Sequence, residues 1–337
     1  MQEVYDSIFD VIKILEPDSD LYKCKQYHKE TDLFRVMVPS DEYTWIERGD
    51  GTASPIRPTV SQIYYRGENN LYEECKPSYF RTKSESLKIT SDIKAIEFEL
   101  ALKQFPQVYL AERDGMYIDY ITLAQHYGIP TPHLDITQNL AVAAFFACYT
   151  FNSDGTCTPS ENEYGQIRFA PLMYQNEFKP ECPLHIFGLQ PFMRPGRQYA
   201  AALRMTENED FALKSTTYVF KHNKEDSEII AAALSEVRDK EIIDKLWIFP
   251  CEHIVNVANT IKNRGYVSKD SVKLYCERRS EDYVSIKEIL KDADCLISKK
   301  STVWLSNGER NELEKQYRDY PYGNNRISAR LRFRPIG

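Results

Sequence analysis

Two stretches concentrate the residue types that do chemistry. Between Leu123 and Ala147, a polar segment carrying Gln125, His126 and Tyr127 meets a turn at Gly128 and Pro130, then Asp135 and Thr137, then an almost wholly apolar run. That order predicts a reactive or binding loop mounted on a buried helix. From Ser61 to Gly67, aromatic and β-branched residues bounded by Pro58 and Gly67 predict a strand. Period two puts Ile63 and Tyr65 on one face, and Tyr64 and Arg66 on the other. An arginine at a strand end beside a glycine can aim its fork into a cleft where backbone approaches closely.

The elements that position these residues follow from periodicity and punctuation. Helical spacing is expected over Val4 to Leu15, Ser84 to Phe105 (with Glu97 and Glu99 beside the apolar stripe) and Ile118 to His126, the last stopped by Gly128 and Pro130. Asp135-x-x-Gln138 predicts a cap for the helix that follows. Further strands are expected at 166–173, 216–221 and 245–250, and helices at 225–236 and 254–264. Residues 180–195 read as loop-rich, and Glu207 and Glu209 fall in an acidic turn. From Cys276 the chain becomes charge-mixed, and residues 321–337 carry Arg326, Arg330, Arg332 and Arg334 without an acid.

Composition narrows the function classes. With 42% apolar and 28% charged residues the chain has the balance of an ordinary soluble protein. A net charge of −7 and a pI near 5.6 argue against general nucleic-acid binding, which needs surplus cations, though the Arg-rich end leaves a local contact open. Eight cysteines without pairing rhythm fit reduced thiols in a cytoplasm. No secretory leader is expected, and the apolar run from Leu140 to Tyr149 falls short of the ~18–20 residues that span a bilayer. Dinucleotide-fold, P-loop, hydrolase-elbow and zincin motifs are missing from the sequence. Cys182-x-x-His185, with Cys157 upstream, has ligand spacing only once where zinc sites carry two such pairs, so no metal is expected.

Tyr65-Arg66-Gly67 and the run from Ala124-Gln125-His126-Tyr127-Gly128 through Leu134-Asp135-Ile136-Thr137 to Ala144-Phe145-Phe146-Ala147 together resemble the FRG domain family, common in bacterial and phage-related proteins. The family takes its name from a Phe/Tyr-Arg-Gly triplet. Arg194 with Gln198 and Ala200 resembles a later family segment, and the likeness extends over about residues 60 to 270. Pro132, Ile136 and Ala200 stand where the family usually has Arg, Trp and Gly. On this basis the chain divides into an N-terminal helical arm (1–57), an FRG-like domain (58–275) and a C-terminal extension (276–337).

The order of motifs is also similar to that of ADP-ribosyltransferases, which implies an α+β fold with a mixed central sheet, helices and a split-sheet cleft. Arg66, Thr137 and Gln198 would match the transferase positions, with His126 and Asp135 placing the sugar or a water. Tyr64, Tyr65, Arg66, Gly67, Gln125, Tyr127 and Arg194 would hold NAD, a tyrosine stacking on nicotinamide. Cleaving the nicotinamide–ribose bond passes through an oxocarbenium-like state that calls for rigidly held phosphates and nearby negative groups. Gln198 is an amide where a carboxylate is usual, and nothing in the sequence selects Glu97, Glu99, Glu207 or Glu209 to replace it. Bland roles stay open: a loop-tying His126, a capping Asp135, an ion-paired Arg66. The implied function is an NAD-binding, ADP-ribosyltransferase-like effector in phage defence or a toxin system, acting on a macromolecular acceptor. The alternatives are a non-catalytic module sensing a nucleotide or a protein, and an interaction domain using residues 277–337.

Overall fold

Capping side chains set most helix starts in the computed structural model, which describes residues 3–17, 44–47, 52–56, 63–152, 156–172, 184–186, 189–234, 248–299 and 302–318. Ser7 accepts from the Asp10 N–H and opens α1 (Ile8–Leu15), so the helix begins later than its apolar stripe and Val4–Tyr5 forms strand β1 instead. Strands β2 (Thr44–Glu47) and β3 (Ala53–Ile56) pair as a hairpin ahead of β4 (Ile63–Glu68). Ser84 caps α2 (Glu85–Leu102), Pro106 opens α3 (Pro106–Arg113), and Asp119 caps α4 (Tyr120–His126). Next come β5 (His133–Thr137) and α5 (Leu140–Cys148).

Asp135 is not the cap that its spacing predicts. His133 to Thr137 alternates along a paired strand, which fixes Asp135 in mid-strand, and Asn139 caps α5 by accepting from the Ala141 and Val142 N–H groups. After β6 (Tyr149–Phe151), β7 (Cys157–Pro159), β8 (Tyr164–Pro171) and β9 (Leu184–Ile186) come α6 (Met193–Arg197), β10 (Ala200–Arg204), β11 (Thr216–Lys221) and α7 (Lys224–Ala233). Residues 245–247 of the expected late strand lie outside the described residues, and Ile248 to Pro250 form a turn. The chain continues through α8 (His253–Asn263), β12 (Tyr266–Ser268), α9 (Lys269–Arg279), α10 (Tyr283–Asp292), β13 (Leu296–Ser298) and α11 (Asn307–Arg318).

The class is α+β. A mixed seven-stranded sheet runs in the order β1-β11-β8-β4-β5-β10-β9, antiparallel throughout except for β1 beside β11. Its pairing is uneven. β4 and β8 pair at six positions from Ile63↔Pro171 to Glu68↔Gln166, and β5 and β10 at five, whereas β4 and β5 pair only at Tyr65↔Thr137. The sheet is thus two ladders joined at a seam.

Each face of the sheet carries its own core. Ile8, Phe9, Val11 and Ile12 of α1 are buried with Tyr65, all but one residue of α5, and Ile230 of α7. The N-terminal segment expected as an arm therefore shares a core with β4. The opposite face buries Tyr64, Leu134, Ile136, Ala201, Leu203 and Phe211. A third cluster joins α2, α3, α4 and α8 to Leu305 and Leu313, and a fourth packs Ile93 of α2 against α9 and α10. Position 276, expected as a domain boundary, lies inside α9.

Candidate functional site

Along β4 the alternation divides the triplet by face. Tyr65 is buried toward α5, its hydroxyl donating to Glu16 Oε1 at 3.0 Å. Gly67 shares that face, where a Cβ would stand 1.8 Å from the Ala143 carbonyl oxygen, so the glycine is what lets α5 lie directly on the strand. Tyr64, Arg66 and Glu68 point to the other face. Glu68 Oε1 lies 3.3 Å from Arg66 Nε, and its Oε2 takes Arg168 Nε and Gln166 Nε2, each at 2.8 Å. Burial alone would raise the Glu68 pKa, but the two guanidiniums and Gln166 outweigh it and hold the carboxyl below its usual value. Burial pushes the neighbouring Cys75 thiol up to about 11, so it stays protonated while its Sγ leans on Glu68 Oε1 at 3.4 Å.

Arg66 also crosses the seam. Its Nη1 donates to the Asp135 carbonyl oxygen at 2.7 Å, tying β4 to β5 through a side chain just beyond their single paired position. The guanidinium-bearing side chain is 22% exposed. The Asp135 side chain is 38% exposed and lies on the opposite face, the one shared with Thr137, where Gln125 Nε2 donates to Oδ2 at 3.2 Å and His126 Nδ1 stands 3.9 Å from Oδ1. Gln125 Oε1 accepts from both the N–H and the hydroxyl of Thr131, which folds the Gly128 to Thr131 turn back on α4. The structure therefore brings Gln125, His126 and Asp135 together, with Arg66 reaching only the Asp135 backbone.

Other expected site residues are held inside the fold. Thr137 donates its hydroxyl to the Gln198 carbonyl oxygen at 2.7 Å, and Gln198 Nε2 donates to the Ile248 carbonyl at 2.9 Å. Tyr64, Tyr65 and Tyr127 are all buried, so none presents a ring face for stacking. Tyr127 gives its hydroxyl to Glu252 Oε2 at 2.8 Å, and the Arg194 guanidinium is wedged 4.9 Å from the Tyr127 ring centre and 5.1 Å from that of Phe249. Glu97 and Glu99 pair with Arg264 and Arg278, Glu207 with Lys88, and Glu209 with Lys214.

A second polar group occupies the Asp135 face. His133 shares that face by alternation, and His185, beside Ala202 on β9, reaches Asp119 Oδ2 with its Nδ1 at 3.2 Å. The His133 and His185 rings meet edge to face, 4.8 Å apart. Burial favours protonated Asp119, yet the His185 hydrogen bond and charge win and bring it down to about 2, while burial drives His133 down to about 4. Period two in His133-Leu134-Asp135 was a usable signal for His133. His185 depended on a pairing between distant strands.

The FRG domain family's model matches residues 61–155, a span that takes in β4 through β6. Residues 61–155 are an FRG domain. The match is narrower than the expected 60 to 270, so Arg66, Gln125, His126, Asp135 and Thr137 fall inside the FRG domain, and Arg194 and Gln198 fall outside it. No curated protein and no solved structure matches the chain. Among the described residues no helix is long and apolar enough to cross a membrane. Cys182 and the Arg-rich residues 321–337 lie outside the described residues.

Proposed function

We propose that the FRG domain binds a nucleotide of the NAD type at the seam between β4 and β5, as part of an ADP-ribosyltransferase-like effector in phage defence or a toxin system. The observation that carries this is the seam itself: two ladders joined at one paired position and spanned by an arginine whose side chain is part exposed. A planar, permanently charged fork suits pyrophosphate oxygens, and a carboxylate suits sugar hydroxyls. Arg66 fits the phosphate part of the ligand, the Asp135 carboxylate lies on the opposite face of the sheet, and the buried tyrosines supply no platform for nicotinamide. When bound, NAD would supply an ADP-ribosyl group with nicotinamide as its leaving group, and Arg66 would hold its phosphates. Free thiols at Cys75, Cys148, Cys157, Cys251, Cys276 and Cys295 support a cytoplasmic setting.

A non-catalytic sensor is the second candidate, and one observation favours it. Gln198 spends its amide on the Ile248 carbonyl, and Glu97, Glu99, Glu207 and Glu209 are all engaged in ion pairs away from Arg66. Incubation of the purified chain with labelled NAD and a cell lysate, beside Arg66→Ala, separates the two. Label transfer and nicotinamide release that vanish in the variant establish transfer. Calorimetric NAD binding with neither product establishes sensing, and no binding at all refutes both.

A further inference from the structure

Arg66 stands directly opposite Arg168 across β4 and β8, a like-charge pairing that destabilises a ladder unless something bridges it. Glu68, on the same face, is the bridge, with one oxygen for each arginine. The two arginines differ in every other respect. Arg168 is buried at 3% exposure and each nitrogen is engaged: Nε on Glu68, Nη1 on Thr217 Oγ1 and Nη2 on the Tyr72 carbonyl. The Arg66 side chain is 22% exposed, and its Nη2 makes no hydrogen bond among the described residues.

One carboxylate thus serves two guanidiniums, and the share that each receives is set by geometry. The shorter contact, 2.8 Å against 3.3 Å, belongs to Arg168. We infer that Glu68 is an internal anion competing for Arg66, and that Arg168 restrains it, so that these two positioning residues set how strongly Arg66 holds a phosphate. The inference rests on the nucleotide-binding function proposed above, and it names the anionic part of the ligand as what Arg66 recognises. Discharging Glu68 leaves Arg66 uncompensated and strengthens anion binding. Discharging Arg168 lets Glu68 turn wholly to Arg66 and weakens it. Purely structural roles would give a loss in both cases.

Calorimetric titration of the full chain with inorganic pyrophosphate, NAD and adenosine tests this in the wild type, Glu68→Gln and Arg168→Gln. Glu68→Gln is expected to bind pyrophosphate and NAD at least roughly tenfold more tightly, since one charge within ~6 Å moves a neighbouring equilibrium by one or more tenfold steps. Arg168→Gln is expected to bind both more weakly by a similar factor, and adenosine, being uncharged, should not respond. Weaker or unchanged pyrophosphate binding by a folded Glu68→Gln overturns the inference. Arginine side-chain nitrogen NMR on the wild type needs no buried variant: pyrophosphate should shift the Arg66 signals and leave those of Arg168 in place, and equal shifts overturn the assignment. A chain that binds pyrophosphate but not NAD refutes the NAD ligand alone. A chain that binds NAD, with Glu68→Gln no tighter, refutes the charge control alone. Pyrophosphate bound by neither wild type nor Glu68→Gln refutes both.

Discussion

Tyr65, Arg66 and Gly67 sit side by side, yet the Tyr65 side chain is buried and that of Arg66 is part exposed. A methyl group at Gly67 would meet the Ala143 oxygen at 1.8 Å and the Ala147 nitrogen at 2.7 Å, both backbone atoms of α5. A helix backbone cannot yield as a side-chain tip can, so Gly67→Ala is expected to cost about 3 kcal/mol or more, the upper range for overpacking. Urea unfolding would read this, and a loss below about 1 kcal/mol would mean that α5 rides freely on the strand. Alternation alone places Tyr64 and Arg66 on one face. It could not tell that α5 would cover Tyr65 and Gly67, or that Tyr64 would be sealed into the opposite core, and for that reason the expected stacking tyrosines are not surface groups.

Strand β5 shows how an element carries more than its motif. Thr131 gives its hydroxyl hydrogen to Gln125 Oε1, which leaves His133 Nδ1 as the donor toward Thr131 and puts the lone pair on Nε2. That Nε2 is buried without a partner among the described residues, so a proton there would be an unsatisfied donor. Burial accordingly holds the imidazole down to about 4 in the fold, against an ordinary value of 6.5. Because the unfolded chain binds this proton more tightly, the stabilisation is complete above pH 6.5 and is lost as the pH falls toward 4, on the order of 3 kcal/mol in all. Denaturant unfolding of the wild type and His133→Leu across that range should give curves whose difference slopes only within it; a flat difference would show that His133 is not the group responsible. The apolar stripes and turn residues made α2, α4, α8, β8 and β11 legible from sequence. Asp135 and Asn139 differ little in capping chemistry, and only pairing with β10 decides between them. His185 meets Asp119 across 66 residues of chain and Gln198 meets Thr137 across 61, distances at which local pattern carries no information.

Over the whole molecule, composition boundaries proved to be poor guides to packing. Charge-mixed sequence from Cys276 onward marks an exposed helix face, while Ile286, Leu290, Leu305 and Leu313 from the same region are buried against helices that precede it. Arg278 holds Glu99 of α2 through two contacts of 2.6 and 2.8 Å. A chain cut after residue 275 would end inside α9 and leave Ile93, Val267 and Val272 uncovered, so it is expected to aggregate or to lose cooperative unfolding. Size-exclusion chromatography and thermal circular dichroism would check this, and a monomeric fragment with an unchanged melt would restore 276 as a true boundary. The pairing of β1 with β11 bears on something else, the order of events during synthesis. Val4 finds its partner at Val219, and the neighbouring Asp6 to Lys221 contact closes a separation of 215 residues. At ~5–20 residues per second a ribosome needs roughly 10 to 40 s to supply that partner. During that interval the apolar face of α1, with Ile8, Val11 and Ile12, is without its finished sheet, so this helix is the part of the core most exposed to chaperones and proteases.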